Sequence, residues 1–305
     1  MQSAPLRPPD QPVPTDRNSI TLVLNKPLYL PGERIQGQVL LNLKNRTDIK
    51  SVAVYLQGIE ETHIYIYEKR GGTFKSSRAM ANNGLWLSQQ GTIPEGTTAF
   101  PFIFDVPKDA VPSYAGRHVN VTWKLSAKAN IGWRHDLEQE LFLVIANNSS
   151  LPPAPLVLEN PETQPKIRLS LSSNVYQPGD TIDGRFTLLD QGKTRAVRIQ
   201  LSMDEYAAGH GASGDRSKIE TMLVGNPLVF PLDNLAPARE IPFQIPLLPQ
   251  SPCSYKGNFS SIVWYLQVTL DIPHGRGINL SLPFQVGLRT PQPVPVQSII
   301  SVSPV

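Results

Sequence analysis

A turn signature occurs twice in this chain, and its spacing limits what the chain can fold into. Tyr29-Leu30-Pro31-Gly32-Glu33-Arg34-Ile35-Gln36-Gly37 returns as Tyr176-Gln177-Pro178-Gly179-Asp180-Thr181-Ile182-Asp183-Gly184, giving Tyr-x-Pro-Gly-acid-x-Ile-x-Gly both times. The offset of 147 residues exceeds the roughly 20 to 50 residues of a solenoid unit. It is the size of a whole domain. Two copies of one domain are expected, and 305 residues accommodate them.

Later landmarks keep the same order. Phe100-Pro101-Phe102-Ile103-Phe104 corresponds to Ile241-Pro242-Phe243-Gln244-Ile245, Ser113-Tyr114-Ala115-Gly116 to Ser254-Tyr255-Lys256-Gly257, and Trp123 to Trp264. The offset drifts to 141, as a shorter loop in the second copy requires. Period-two alternation marks strands at 20–25, 35–43, 49–55 and 63–67, and above all at 119–131, where Val119, Val121, Trp123, Leu125, Ala127, Ala129 and Ile131 share one face. Residues 71–83 read as a polar hairpin loop, 91–96 as a turn, and 100–104, which carries Pro101, as an edge or strand start. No segment has the helical period. The fold class is all-β, two tandem antiparallel immunoglobulin-like sandwiches. The expected boundaries are a Pro-rich arm at 1–19, a first sandwich at 20–146, a linker at 147–166, a second sandwich at 167–289 and a Pro-rich tail at 290–305.

Thirty prolines, spread beside apolar runs, suit many turns and argue against long helices. The net charge of +3 comes without a Lys/Arg block, so nucleic acid is not implied. A lone Cys253 permits no internal disulfide and fits a reducing compartment. The first 19 residues lack an apolar core and do not read as a signal peptide. No apolar run approaches the roughly 18 residues that span a membrane. Sequons at Asn45, Asn120, Asn147, Asn148, Asn258 and Asn279 leave one alternative, a secreted or cell-surface structural sandwich.

The ordered landmarks, together with Val52-Ala53-Val54-Tyr55-Leu56-Gln57-Gly58-Ile59-Glu60 after the first turn, resemble the arrestin-domain proteins, the α-arrestin branch especially, over about residues 18–289. Sporulation-control and retromer arrestin-like proteins are simpler relatives of the same kind. The resemblance implies N- and C-type arrestin sandwiches in tandem. It implies a non-catalytic cytoplasmic adaptor that binds membrane cargo, receptor tails or trafficking machinery. The branch's Pro-Pro-x-Tyr ligase motifs do not occur here, since neither Pro8-Pro9 nor Pro152-Pro153 leads to the required tyrosine.

Catalytic and cofactor chemistry find no foothold in the residue pattern. Gly209-His210-Gly211-Ala212-Ser213-Gly214 matches Gly-x-Gly-x-x-Gly but lies between two strand-like runs, whereas a dinucleotide site needs a following helix. It reads as a hairpin loop. His63, His118, His135, His210 and His274 show no metal-ligand spacing. No enzyme, cofactor or metal is expected. Tyr29, Tyr114, Tyr176 and Tyr255 read as rings packed in the core with hydroxyls tied to turns, and Trp123 and Trp264 as core. Pro31, Gly32, Gly37, Gly116, Pro178, Gly179, Gly184 and Gly257 read as backbone-shaping fold markers. Lys124, Lys128 and Arg134 share the face opposite Trp123 and are the candidate contacts for acidic protein cargo or anionic lipid.

Overall fold

The computed structural model describes residues 17–67, 71–132, 136–149, 151–160, 166–231, 239–273 and 277–289. Among them every regular element is a strand. In the first repeat these are β1 (Ser19–Leu24), β2 (Leu28–Tyr29), β3 (Arg34–Leu43), β4 (Thr47–Ile49), β5 (Ser51–Ile66), β6 (Gly72–Ser88), β7 (Gly91–Ile93), β8 (Gly96–Asp105), β9 (Tyr114–Ala115), β10 (Val119–Asn130) and β11 (Leu137–Ile145). β1, β3 and β8 form one sheet, and β8, with Pro101, is its edge. The other sheet runs β2-β11-β10-β5-β6, with β9 on β10. Between them lie the alternating residues of each strand, such as Ile35, Val39 and Leu41 from β3 and Val121, Trp123 and Leu125 from β10, all buried.

The second repeat supplies β12 (Leu156–Glu159), β13 (Lys166–Leu171), β14 (Val175–Tyr176), β15 (Thr181–Asp190), β16 (Ala196–Gly211), β17 (Gly214–Pro231), β18 (Ile241–Pro246), β19 (Tyr255–Lys256), β20 (Ser260–Asp271) and β21 (Ile278–Val286). One sheet is β12-β13-β15-β18; the other carries β14, β21, β20 and β16, with β17 on β16 and β19 on β20. The chain forms two compact units. The first is Met1–Asn147 with Ser202–Gly225 and Ser254–Tyr265; the second is Asn148–Leu201, Asn226–Cys253 and Leu266–Val305.

The Pro-Gly signature is a type II turn in each copy. Glu33 N donates to Leu30 O at 3.1 Å and Asp180 N to Gln177 O at 3.0 Å. Proline sits at the second position of each turn. Gly32 and Gly179 sit at the third, with φ of 81° and 91°, where side chains are disfavoured. The acid closes the turn from outside. Glu33 accepts Leu30 N and Asp180 accepts Gln177 N, each at 2.8 Å. Each acid also meets a cation, Lys26 at 2.6 Å and Arg289 at 2.8 Å. The Lys26 hydrogen bond holds the Glu33 carboxyl below its usual range. The preceding tyrosine ends a two-residue parallel pairing, β2 on β11 and β14 on β21.

The structure corrects three sequence expectations. Residues 72–83 are not a loop: β6 pairs with β5 from Gly72 to Ser88. Register shifts at Val52/Ala53 and Gly58/Ile59 insert extra residues into β6, which erases its alternation, and Ser77, Asn82 and Asn83 face water while Ser76 is buried. Residues 91–93, inside the turn expected at 91–96, are a strand paired with β4. Within the expected linker, Leu156 to Glu159 pair with Leu171 to Arg168. That four-residue run was hidden among flanking prolines. The expected arm lies mostly, and the tail wholly, outside the described residues.

Candidate functional site

The outward face of the β6-β5-β10-β11 sheet carries two of the three charged side chains singled out from the sequence, Lys124 and Lys128. β10 turns Trp123, Leu125 and Ala127 into the core, so Lys124, Ser126 and Lys128 point away from it. Registers across the four strands place neighbours in rows. One row is Trp86, Ala53, Lys128 and Glu138; the next is Gly84, Tyr55, Ser126 and Glu140; a third is Asn82, Gln57, Lys124 and Phe142. Two lysines therefore share the face with three acids. Lys124 Nζ donates to Glu140 Oε1 at 2.6 Å, and Lys128 lies 3.1 Å from Asp136. The hydrogen bond from Lys124 lowers the Glu140 pKa, and the one to Asp136 raises that of Lys128. Both lysines are thus answered by acids rather than forming an unpaired basic stripe. Arg134 lies outside the described residues.

Two exposed aromatics border this ladder, and neither was singled out from the sequence. Trp86 and Phe142 are each 68% exposed. Phe142 is legible in hindsight: Leu143 and Ile145 carry the buried phase of β11, which turns Phe142 outward. Trp86 is not, because the register shift beside Ala53 breaks the phase of β6. Tyr55 lies over Gly84, where an added Cβ would stand 2.8 Å from the ring. An aromatic-bordered ladder of ion pairs suits protein recognition, since Trp is enriched among residues that dominate binding energy.

The fold markers occupy structural positions. Trp123 is buried, donates Nε1–H to Val111 O at 2.9 Å and lies against Gly58, its cross-strand neighbour. Trp264 is equally buried. Gly37 lets Phe102 cross its backbone, where a Cβ would stand 2.6 Å from the ring, and Gly184 does the same for Phe243. Tyr29 Oη donates to Asn25 Oδ1 at 2.9 Å, and Tyr176 Oη accepts Ser173 N at 3.3 Å. Burial raises the pKa of both phenols.

Tyr114 and Tyr255 lead to a pair of fully buried glutamates, Glu60 on β5 and Glu205 on β16, all within the first unit. Glu205 accepts Tyr114 Oη at 2.7 Å, Arg117 N at 3.0 Å and His118 N at 2.8 Å. Glu60 accepts Asn258 N at 3.2 Å, Phe259 N at 3.0 Å and Ser260 Oγ at 2.7 Å, while Tyr255 Oη lies 3.0 Å from Ser260 Oγ. Each carboxylate is seated on the turn N–H groups that follow a Ser-Tyr-x-Gly motif. Such successive N–H groups form an anion nest. Burial foremost, then the nearby carboxylates, push both phenols far above the ordinary tyrosine range.

Among the described residues no cluster of three or more His, Cys, Asp or Glu side chains is placed to hold a metal. Gly209 and Gly211 are strand residues of β16 packed against Phe74 and its neighbours, not a phosphate loop. His210 pairs with Asp215 across the hairpin end. His135 and His274 lie outside the described residues.

The family model described as "Arrestin (or S-antigen), N-terminal domain" matches residues 19–149, and "Arrestin (or S-antigen), C-terminal domain" matches residues 162–291. The chain is 23% identical over 305 residues to a Dictyostelium discoideum protein named "Arrestin domain-containing protein A", covering 88% of this chain and 50% of that protein. It spans about half the length of that relative.

Proposed function

We propose, from the premise that this chain belongs to the arrestin family, that it is a non-catalytic adaptor for membrane-protein trafficking or signalling in the cytoplasm. The observation that carries this reading is the tandem of arrestin N- and C-terminal domains along one chain, matched at residues 19–149 and 162–291. The two sequence repeats, 20–146 and 167–289, are the two domains in this reading. Proteins of this family generally act by binding. Partner segments dock on the outward face of β6-β5-β10-β11, where Trp86 and Phe142 supply desolvated anchors and Lys124 and Lys128 set the charge pattern. An acidic cytoplasmic tail competes there with Glu140 and Asp136 for the lysines. Headgroups of an anionic membrane meet the same two cations.

Proximity labelling in the source cell tests this reading, comparing the wild-type chain with a Trp86→Ala/Phe142→Ala variant. Integral membrane proteins and trafficking components are expected in the wild-type set and depleted from the variant's. A wild-type set without them, or occupied sequons in the intact mass of the native protein, overturns the cytoplasmic adaptor reading.

A further inference from the structure

β17 ends its sheet. It pairs with β16, and among the described residues no strand pairs with its other side. A free edge presents a row of unpaired N–H and C=O groups, a template for another strand. Several other edges are blunted. β1 is six residues long, and Gln139 Oε1 takes the Leu22 N–H at 2.5 Å. β8 carries Pro101, and β18 carries Pro242 and Pro246. β12 has four residues. β6 pairs with β5 on one side and meets β16 at Lys75 on the other, and two register shifts break it. From Asp215 to Val224, β17 contains no proline, and only at Gly225, with φ of 71°, does the chain leave regular strand geometry.

The side chains on this edge are unusual for an unprotected one. Ile219 is 61% exposed and Leu223 is 66% exposed, in one row with Thr221 between them. The Thr221 hydroxyl is already satisfied, donating to Asp204 Oδ1 at 2.6 Å. In the opposite row the Glu220 carboxylate is answered by Arg117 and by Lys218 at 3.2 Å. Neither row offers an unanswered acid to a neighbouring strand at its centre.

We propose that this edge is a self-association site, pairing antiparallel with the same edge of a second copy about a two-fold axis through Thr221. In that register Ile219 faces Leu223 of the second copy, Leu223 faces Ile219, and Thr221 faces itself. Directly opposed side chains lie about 5 Å apart and interact. A slip by one residue sends the aliphatic row against the charged one, so the register is specified. The contact is isologous and uses up the edge, so assembly closes at two chains. A ladder from Lys218 to Val224 buries less than the roughly 1,200 Å2 of a stable complex, which makes the dimer weak and concentration-dependent.

Sedimentation of the full chain from about 1 to about 300 μM tests the proposal. A reversible monomer–dimer equilibrium is expected, with its midpoint in the tens of micromolar. Leu223→Lys should move that midpoint at least about ten-fold upward with the unfolding temperature unchanged, because the side chain is exposed in the monomer. The register has its own readout: under mild oxidation Thr221→Cys should give a covalent dimer, while Ile219→Cys and the parent chain, with Cys253 alone, should not. A chain that stays monomeric throughout overturns the proposal and leaves the edge to a strand of another protein. A dimer indifferent to Leu223→Lys, or one cross-linked preferentially through Ile219→Cys, overturns it as well.

Discussion

The carboxylate of Glu205 fills the space that a side chain at Gly116 would need, and a Cβ built there would overlap Glu205 Oε2. Glu60 stands in the same relation to Gly257. The glycine of each Ser-Tyr-x-Gly turn is therefore a seat for a buried acid, which the tyrosine two residues earlier meets directly at Glu205 and through the Ser260 hydroxyl at Glu60. Glu205→Ala leaves Tyr114 Oη and two turn N–H groups unanswered in a dry site, so a loss of about 3 to 5 kcal/mol is expected in chemical denaturation. Gly116→Ala should lose a comparable amount, since the carboxylate cannot keep its donors and admit a methyl group. A Glu205→Ala protein as stable as the wild type would show that the seat is not needed for the fold.

Glu60 and Glu205 also mark the limit of what the sequence discloses. Each continues the buried phase of its strand: Val52, Val54 and Leu56 precede Glu60, and Ile199, Leu201 and Met203 precede Glu205. An acid in phase with a core face is a readable signal. The turn that answers Glu60 lies 195 residues on, at Tyr255, the turn that answers Glu205 lies 91 residues back, at Tyr114, and nothing local says which acid meets which turn. The paired Pro-Gly turns were legible because their chemistry is local. Proline, glycine and the capping acid all act within four residues. The interaction face was legible only in part. The even spacing of Lys124 and Lys128 gave their common face, but their ion-pair partners come from residues 136 and 140, and Trp86 was concealed by a register shift.

Glu33 provides a test in pH. Its carboxyl is held below the ordinary value of 4.5 by the Lys26 hydrogen bond first and by Leu30 N as well. A group depressed on folding contributes stability that is present above its unfolded value and lost as pH falls through the folded one. The wild-type unfolding temperature should therefore drop below about pH 4.5 more steeply than that of Glu33→Gln. Parallel curves from pH 6 to pH 3 would remove the turn acid from the list of acid-sensitive groups.

Two glycines on β5 and β6 separate rigid from yielding contacts. An added Cβ at Gly58 meets the Trp123 ring, and one at Gly84 meets the Tyr55 ring. Trp123 is buried and tied to Val111 O; Tyr55 is half-buried on an outward face. Overpacking costs about 1 to 3 kcal/mol where neighbours cannot move. Gly58→Ala should reach the upper part of that range, and Gly84→Ala should stay within about 0.5 kcal/mol. Equal losses at both sites would mean that Tyr55 is as fixed as Trp123.

The lysines of the outward face can be tested apart from their structural duty. Lys124→Glu weakens partner binding whether a partner reads the lysine or the loss of the Glu140 ion pair merely distorts β10 and β11. Lys124→Glu combined with Glu140→Lys resolves the ambiguity, because it restores an ion pair with its sign exchanged between strands. The exposed pair itself is worth little, within about 1 kcal/mol, so unfolding temperatures of both variants should stay close to the wild type. If a partner carboxylate docks on Lys124, affinity for a membrane-protein tail identified by labelling should fall about five- to ten-fold in the single variant. It should stay low in the double variant, since the cation has moved to another strand. Raising the salt should narrow the difference, as it does for any partly exposed charge contact. Full recovery in the double variant would instead assign Lys124 a purely structural role and leave recognition to Trp86 and Phe142.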